Sequence, residues 1–300
     1  MGATWTASSQ GIDWQLDLER DHLLPGRLVN GTVTITAKRA IDARAVVVAL
    51  VATEHWQHDE TTTDAQGHLS TRTVTTRAEL QRLPVQVSGP FSLAKGEVLR
   101  RDVALPVPPL GPATLEATVL GMTWTVEAKI DDPGWLDSSM EVPVRVVQPV
   151  ALLRAGVVDV GEFALYPAAD SGDAALSASI ALDPLPVGAG SPFRGELAIH
   201  ATEGRRLQEI RAEIRVNVRA TVSSGKSQTI TAWAGTIAGP TDLSGDARYT
   251  FQSTLPDVAL PTIELPHGTA GAEFHLILAV AMARDPHLVR DITIATTLEL

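Results

Sequence analysis

The sequence predicts an all-β protein built from two tandem β-sandwiches, and three observations support this prediction. Apolar and polar residues alternate along many short segments, no long window carries an apolar stripe at helical spacing, and two sets of apolar anchors from the first half recur in the second. With 300 residues, the chain is about twice as long as a typical domain of ~150 residues, so two domains are expected.

The alternation indicates strands with one buried face. Residues 12–18 alternate apolar and polar side chains, and residues 142–146 place valine at every second position. Side chains of a strand point alternately to its two faces, so this pattern buries one face and exposes the other. The apolar run at residues 46–51 is typical of a strand buried on both faces, and 23 glycines and 19 prolines separate such segments.

The first set of repeated anchors starts at Gly31 in one half and at Gly195 in the other. Apolar residues follow each glycine at +2 and +4, and again at +15, +17 and +19. This spacing aligns Val46 with Ile210. It indicates that the same two strands, separated by the same distance, occur in both halves.

The second set consists of Leu105 and Leu255, each followed by proline. Trp124 and Phe274 lie 19 residues after them, and both halves then reach an Asp-Pro turn. Because the two sets occur in the same order, we expect one sandwich in residues 1–150 and another in residues 176–300. Residues 151–175 are the expected linker, with room for one strand.

The first half is longer than the second between these anchors. Gly31 to Leu105 spans 74 residues, whereas Gly195 to Leu255 spans 60. The extra residues are expected between residues 55 and 90, where a polar, threonine-rich tract interrupts the apolar pattern. The tract at residues 56–76 is either a tolerated surface insertion or a hairpin whose open edge pairs with a partner or with a second copy of the chain.

These motifs resemble the arrestin-like superfamily. Residues 24–33, Leu-Pro-Gly-Arg-Leu-Val-Asn-Gly-Thr-Val, are similar to the Pro-Gly-x-x-Val-x-Gly-x-Val pattern of that family's first strands. The Leu-Pro turn at Leu105 and the strands that start at Trp124 and Phe274 also resemble the family. The resemblance covers nearly the whole chain, and bacterial sporulation-control proteins are among the members of the superfamily.

The resemblance implies two immunoglobulin-like sandwiches, an arrestin N-like one followed by an arrestin C-like one. It also implies a non-enzymatic adaptor or scaffold that binds a protein partner, whose identity the sequence does not give. Phosphate sensing is not carried over, because residues 12–18 contain acidic residues and no lysine or arginine. The low lysine content, beside abundant arginine and alanine, favours a bacterial origin.

The composition excludes several classes of function. The formal net charge of −11 is spread evenly over the two halves, which disfavours binding to nucleic acid. The chain has no cysteine, so disulfides and thiolate catalysis are excluded. The N-terminus lacks the pattern of a signal peptide, and the longest apolar runs have about half of the ~20 residues that span a bilayer. A cytoplasmic protein without a transmembrane segment is therefore expected.

The side chains offer few candidates for chemistry. His58, Asp59 and His68 are the only cluster of potential metal ligands, and a bent hairpin could bring them together; the alternative is a solvated polar hairpin. Residues 225–227, Gly-Lys-Ser, resemble the end of a phosphate-binding loop but lack its first glycine. Residues 223–226, Ser-Ser-Gly-Lys, lie between two alternating segments and predict a hairpin turn. We therefore expect no enzyme and no cofactor, and keep a metal-dependent enzyme using residues 55–68 as an alternative.

The tryptophans fall into two groups. Trp56 and Trp135 lie beside polar turns and are candidate exposed anchors for a partner. Trp14, Trp124 and Trp233 lie in alternating segments and are expected in the core. A carbohydrate- or lipid-binding module is the alternative function, and it requires Trp56, Trp135 and Trp233 to line one groove.

Overall fold

The computed structural model describes residues 2–133, 138–148, 176–183, 185–280, 285 and 287–296. The regular secondary structure in these residues consists of β-strands, and none of them is helical, which confirms the predicted all-β class. The chain divides into two compact units. Unit 1 comprises Met1–Trp56, Val74–Glu116 and Gly121–Val147, and unit 2 comprises Gln57–Thr73, Ala117–Leu120 and Gln148–Leu300. The expected linker, residues 151–175, lies outside the described residues.

The first twelve strands build unit 1, except that the adjoining ends of the sixth and seventh and the first residue of the eleventh lie in unit 2. Strands β1 to β12 are Ala3–Ser9, Ile12–Leu18, His22–Leu23, Leu28–Ala37, Ile41–Ala43, Ala45–Thr63, Leu69–Ser88, Phe91–Leu93, Val98–Pro106, Leu115–Glu116, Leu120–Asp131 and Ser138–Val146. They form two main sheets with the strand orders β1-β2-β4-β9 and β3-β12-β11-β6-β7, and β10 pairs with β11. A separate short pair joins β5 to β8.

The core of unit 1 follows the predicted alternation. In β2 the residues of one face, among them Trp14 and Leu16, are buried. Trp14 Nε1 donates to Ser138 Oγ at 2.9 Å, and that hydroxyl donates to the carbonyl oxygen of Ser9 at 2.9 Å. Because Ser138 lies on β12 and the other two residues lie on the first sheet, these bonds join the two layers. Trp124 is also buried, which confirms its predicted place in the core.

Unit 2 is built around one long strand. Strands β13 to β21 are Leu176–Asp183, Val187–Gly188, Pro192–Ala220, Ser227–Ala238, Thr241–Thr254, Ile263–Leu265, Gly268–Val280, His287–Ile292 and Ile294–Ala295. The first part of β15 lies between β13 and β17, and its last part lies between β16 and β19. A register shift between Ala201 and Arg205 marks the change. Strand β15 therefore has a neighbour on both sides in each of the two layers. In addition, β18 and β20 pair with β19, and β14 pairs with β21.

Four aromatic side chains form the centre of unit 2. The Phe193 and Trp233 rings meet edge to face at 5.2 Å, and the Trp233 and Phe251 rings stack at 6.1 Å. Phe251, on β17, also stacks on Phe274, on β19, at 6.1 Å, which connects the two layers. Trp233 is half-buried, and its Nε1 donates to Ser253 Oγ at 2.7 Å.

Corresponding hydrogen bonds occur in the two halves. Gly26 and Gly190 lie five residues before the two repeat glycines, and each has a φ of 74°. The Gly26 N–H donates to Val107 O at 3.0 Å, and the Gly190 N–H donates to Leu255 O at 2.9 Å. The residue that corresponds to Leu255 is therefore Val107.

The predicted alignment of Leu105 with Leu255 is thus displaced by two residues. Proline follows Leu105 and also follows Val107, so the apolar-Pro pattern could not separate the two positions. A shift of two residues keeps every side chain on the same face of a strand, so the alternation does not reveal it either. The superposition of Val46 on Ile210 and of Trp124 on Phe274 stays a prediction.

Candidate functional site

The extra residues of the first half form the ends of β6 and β7 and the turn that joins them. The hairpin tip, residues 57–73, belongs to unit 2. Asp64 closes its turn: one carboxylate oxygen accepts from the N–H groups of Gln66 and His68 at 2.9 and 2.8 Å, and Gly67 has a φ of 86°. These hydrogen bonds lower the pKa of Asp64, with the His68 N–H as the largest cause. The side chains of residues 61–73 are exposed.

One edge of the hairpin tip carries a short β-contact. The N–H of Lys226 donates to Gln57 O at 3.0 Å, and the N–H of Asp59 donates to Ser224 O at 3.1 Å. Between these bonds, His58 and Gly225 form an isolated antiparallel bridge. Residues 224–226 belong to the turn between β15 and β16, so the predicted turn is confirmed, and it lies against β6.

An ion pair reinforces this edge contact. Lys226 Nζ lies 2.6 Å from Asp59 Oδ2, and the other carboxylate oxygen accepts from Thr73 Oγ1 at 2.8 Å. Both bonds stabilise the ionised carboxyl, so the pKa of Asp59 lies below its ordinary value, with Lys226 as the main cause. The side chains of Asp59 and Lys226 are 30 % and 37 % exposed, so solvent screens the pair and its contribution to stability is small.

Two residues close in sequence to this contact have a buried polar atom without a hydrogen-bond partner among the described residues. The atoms are Nδ1 of His58, whose backbone forms the bridge, and Oε1 of Gln228, two residues after Lys226. An unpaired buried polar atom costs about 1–3 kcal/mol. Ser224 has a left-handed φ of 60°, which is unfavourable for a residue other than glycine. The edge is thus closed by a short contact between residues 57–59 and residues 224–226.

The predicted exposure of Trp56 is wrong. Its side chain is only 8 % exposed, because Trp56 continues the inward face of β6 that begins at Val46 and includes Leu50. The polar residues begin at Gln57, directly after Trp56, so Trp56 itself still lies on the inward face. Trp135, the other candidate anchor, lies outside the described residues. With Trp56 buried and Trp233 stacked on Phe251, the described residues offer no support for an aromatic ligand groove.

The three candidate metal ligands have other neighbours. His68 Nδ1 lies 3.1 Å from Asp64 Oδ2, and His58 Nε2 lies 3.9 Å from Glu60 Oε1. The carboxylate of Asp59 is bound on both oxygens, as described above. Within the described ranges, no group of three or more histidine or acidic side chains is arranged to hold a metal ion.

A second polar cluster lies on the outer face of β15, β19 and β20 in unit 2. The Arg215 guanidinium donates to Glu213 at 2.8 and 2.7 Å, and His275 Nε2 lies 2.9 Å from Glu273 Oε2. The pKa of His287 is lowered, first by burial and then by the Arg215 cation. Each of these close contacts joins a cation or imidazole to a carboxylate. Nδ1 of His275 and Nε of the neighbouring Arg211 are nevertheless buried without hydrogen-bond partners among the described residues, so the network is only partly satisfied internally.

Sequence reasoning located the hairpin but missed its contact with residues 224–226. Asp59 and Lys226 are 167 residues apart and carry opposite charges, as many other pairs in this chain do. No local pattern connects them. Only the arrangement of the strands places the two side chains together.

Comparison with protein families gave a match to the first half of the chain. Residues 9–156, about half of the chain, match a family described as SpoOM protein. This match confirms the resemblance to arrestin-like proteins of the sporulation-control type. No curated protein matched the chain. In the part of the chain that the structure describes, no helix has the length and hydrophobicity needed to cross a membrane.

Proposed function

Because residues 9–156 are similar to an arrestin-like, sporulation-control family, we propose that this chain is a non-enzymatic adaptor that binds a protein partner. The proposal includes an arrestin N-like sandwich in residues 1–150 and an arrestin C-like sandwich in residues 176–300. It rests on the family match together with the long, exposed hairpin of β6 and β7. Long surface hairpins on a rigid sandwich often carry binding functions. Fold alone does not determine function, so the partner has to be found by experiment.

The hairpin is the observation that makes the adaptor proposal testable. We propose deleting residues 59–72 and closing the hairpin with an Asn-Gly turn, which suits a two-residue connection between antiparallel strands. The parent and the deleted variant, both tagged, are used to capture proteins from a bacterial lysate, and bound proteins are quantified by mass spectrometry. We expect the variant to keep its β-type circular dichroism spectrum. It should no longer capture a protein that the parent captures in a constant molar ratio to itself.

A control and a contrary result define this test. Leu110→Ser changes an apolar side chain that is 96 % exposed and lies outside the hairpin, and it should leave capture unchanged. Purified candidate partner should then bind the parent directly in solution. An identical capture profile for the parent and a folded deletion variant would contradict a role for the hairpin. The absence of any directly binding protein would contradict the adaptor function itself.

The other proposed properties stand on the sequence alone. Self-association through edge strands, a cytoplasmic location and a bacterial origin stay predictions. Carbohydrate or lipid binding also stays an untested alternative. Sedimentation analysis of the purified chain over a range of concentrations tests self-association, since a C2 pair of edge strands would double the mass.

A further inference from the structure

The edge of β6 suggests where a partner docks and what it must contain. We propose that residues 57–59 form a peptide-binding edge that the chain's own residues 224–226 occupy. A partner displaces them with an extended segment that places a lysine or arginine opposite Asp59. This inference rests on the proposed adaptor function, and it specifies the site and the chemistry of the partner.

The hydrogen bonds at this edge are those of an added strand. A strand that adds antiparallel to an edge forms hydrogen bonds with the N–H and C=O groups of every second residue along that edge. Residues 224–226 do this over three residues of β6, using the Gln57 carbonyl and the Asp59 N–H, with the His58–Gly225 bridge between them. The chain's own segment thus occupies the edge in the way that a short bound peptide would.

The edge of β6 that pairs with β11 extends beyond the end of β11. The Arg44 N–H donates to Asp131 O near one end of β11, and the Gln57 N–H donates to Val119 O just before β11 begins at Leu120. The two strands run antiparallel, so β11 ends opposite Gln57. β6 itself runs on to Thr63. A longer extended segment could therefore make more backbone bonds than residues 224–226 make.

Charge selects the partner. Asp59 is held by Lys226 at 2.6 Å, and Glu60 also lies on this part of β6. A partner with a cationic side chain opposite Asp59 forms a new ion pair with this carboxylate in place of the pair with Lys226. A partner with an acidic side chain there meets like charge and leaves Asp59 without its cation. The fitting partner is therefore an extended segment with a lysine or arginine at that position.

The present occupant is suited to displacement. Its contact is three residues long, its ion pair is partly exposed, and Ser224 has an unfavourable backbone conformation. His58, whose backbone forms the bridge, has a buried Nδ1 without a partner among the described residues. A partner that makes a longer contact with β6 would compete with this short one, because affinity depends on the difference between the two contacts. Gly225 and Lys226 would keep their backbone bonds to Val222 and Ala220 within the turn.

The test uses the full chain and compares two lysine substitutions. Lys226→Ala removes the cation at the edge, and Lys38→Ala is the matched control. Lys38 forms an ion pair of the same length, 2.6 Å, with Asp13 on the surface of unit 1. Hydrogen exchange of the Asp59 amide should become roughly two- to fivefold faster in Lys226→Ala, the range expected for loss of a partly exposed ion pair, and should not change in Lys38→Ala.

Binding is measured with a labelled peptide of residues 222–231, Val-Ser-Ser-Gly-Lys-Ser-Gln-Thr-Ile-Thr, by fluorescence polarisation. The peptide should bind Lys226→Ala roughly two- to fivefold more tightly than it binds the parent or Lys38→Ala. A second peptide with glutamate in place of its lysine should bind more weakly to Lys226→Ala. Adding Asp59→Asn to Lys226→Ala should abolish the difference between the two peptides.

Several results would overturn the inference. These are equal peptide binding by the parent and Lys226→Ala, equal binding of the lysine and glutamate peptides, and the absence of peptide binding to every variant. Dimerisation of Lys226→Ala without peptide binding would show that the edge accepts a second copy, and would also overturn the inference.

The adaptor function is tested separately by the deletion of residues 59–72. Loss of capture in that deletion, together with a negative peptide result, would leave the adaptor function standing and remove this edge as its site.

Discussion

Individual side chains in the core of unit 1 combine apolar packing with a hydrogen bond. Trp14 donates to Ser138, and Trp124 Nε1 donates to the carbonyl oxygen of Pro112 at 3.0 Å. A buried indole N–H without a partner would be destabilising, so these acceptors allow the large rings to fill the core. Both tryptophans can therefore be buried without an unsatisfied polar atom.

Replacing Trp124 by alanine should lower the free energy of unfolding by about 3–5 kcal/mol, the usual cost of deleting a buried large aromatic. The side chain is buried, and its removal leaves both a cavity and an unpaired Pro112 carbonyl. Urea denaturation measures the change, and Leu110→Ala, at an exposed site, should stay within about 0.5 kcal/mol of the parent. A loss of less than about 1 kcal/mol would show that Trp124 does not support the core.

Two neighbouring aspartates offer a matched test of burial. Asp132 accepts from Arg39 at 2.9 Å, and their side chains are only 4 % and 19 % exposed. Asp131 accepts from Arg44 at 2.6 Å, but these side chains are 43 % and 65 % exposed. Asp132→Asn should cost about 1–3 kcal/mol, because it removes the charge that the partly buried Arg39 faces, whereas Asp131→Asn, in an exposed pair, should cost less than about 1 kcal/mol. Denaturant unfolding compares them, and equal costs would contradict the role of burial.

Strand β15 depends on a close approach at one of its glycines. A Cβ at Gly195 would lie 2.1 Å from two carbons of the Phe251 ring on the neighbouring strand β17. Phe251 is part of the aromatic centre of unit 2 and contacts three other rings. Glycine at this position therefore makes room for the ring.

Gly195→Ala should destabilise the protein by about 1–3 kcal/mol, since the added methyl group must displace the Phe251 ring. Gly239→Ala is the control, because a Cβ at Gly239 would meet no atom within 4 Å. The control should change the free energy of unfolding by no more than about 0.5 kcal/mol. Chemical denaturation provides the values, and a harmless Gly195→Ala would mean that the aromatic cluster can rearrange freely.

The contact between the hairpin tip and residues 224–226 should weaken in acid. The pKa of Asp59 is lowered in the folded protein, mainly by Lys226, from an ordinary value of 3.8. Its contribution is therefore complete above pH 3.8 and is lost as the pH falls through the lower folded value. Protection of the Asp59 amide against hydrogen exchange, corrected for the intrinsic rate, should fall over that range. In Asp59→Asn this loss should be absent, and an unchanged pH profile in that variant would assign the effect to another carboxyl.

At the scale of the whole molecule, the chain divides into two compact units. Trp124 lies in the core of unit 1, and Phe251 contacts the aromatic centre of unit 2. If the units unfold separately, calorimetry of the parent should resolve two transitions. Trp124→Ala should then lower one of them and Gly195→Ala the other. A single transition that both substitutions lower would show that the units unfold as one cooperative system.

The sequence by itself determined the all-β class, several of the individual strands and the buried faces of some of them. Strand periodicity is a local property: alternation in residues 12–18 fixes which side chains can face a core, wherever that core lies. The burial of Trp14 and Trp124 follows from the same pattern. The turn at residues 223–226 was also predictable, because turn residues separate two alternating segments there.

The tertiary structure decided what depends on contacts between distant segments. It buried Trp56, whose polar sequence neighbours had suggested exposure, because β6 keeps its inward face through that residue. Hydrogen bonds, rather than the apolar-Pro pattern, aligned Val107 with Leu255. The pairing of Asp59 with Lys226 likewise depends on two strand ends that only the folded chain brings together, because the energy of an ion pair depends on distance in space and not on separation along the sequence.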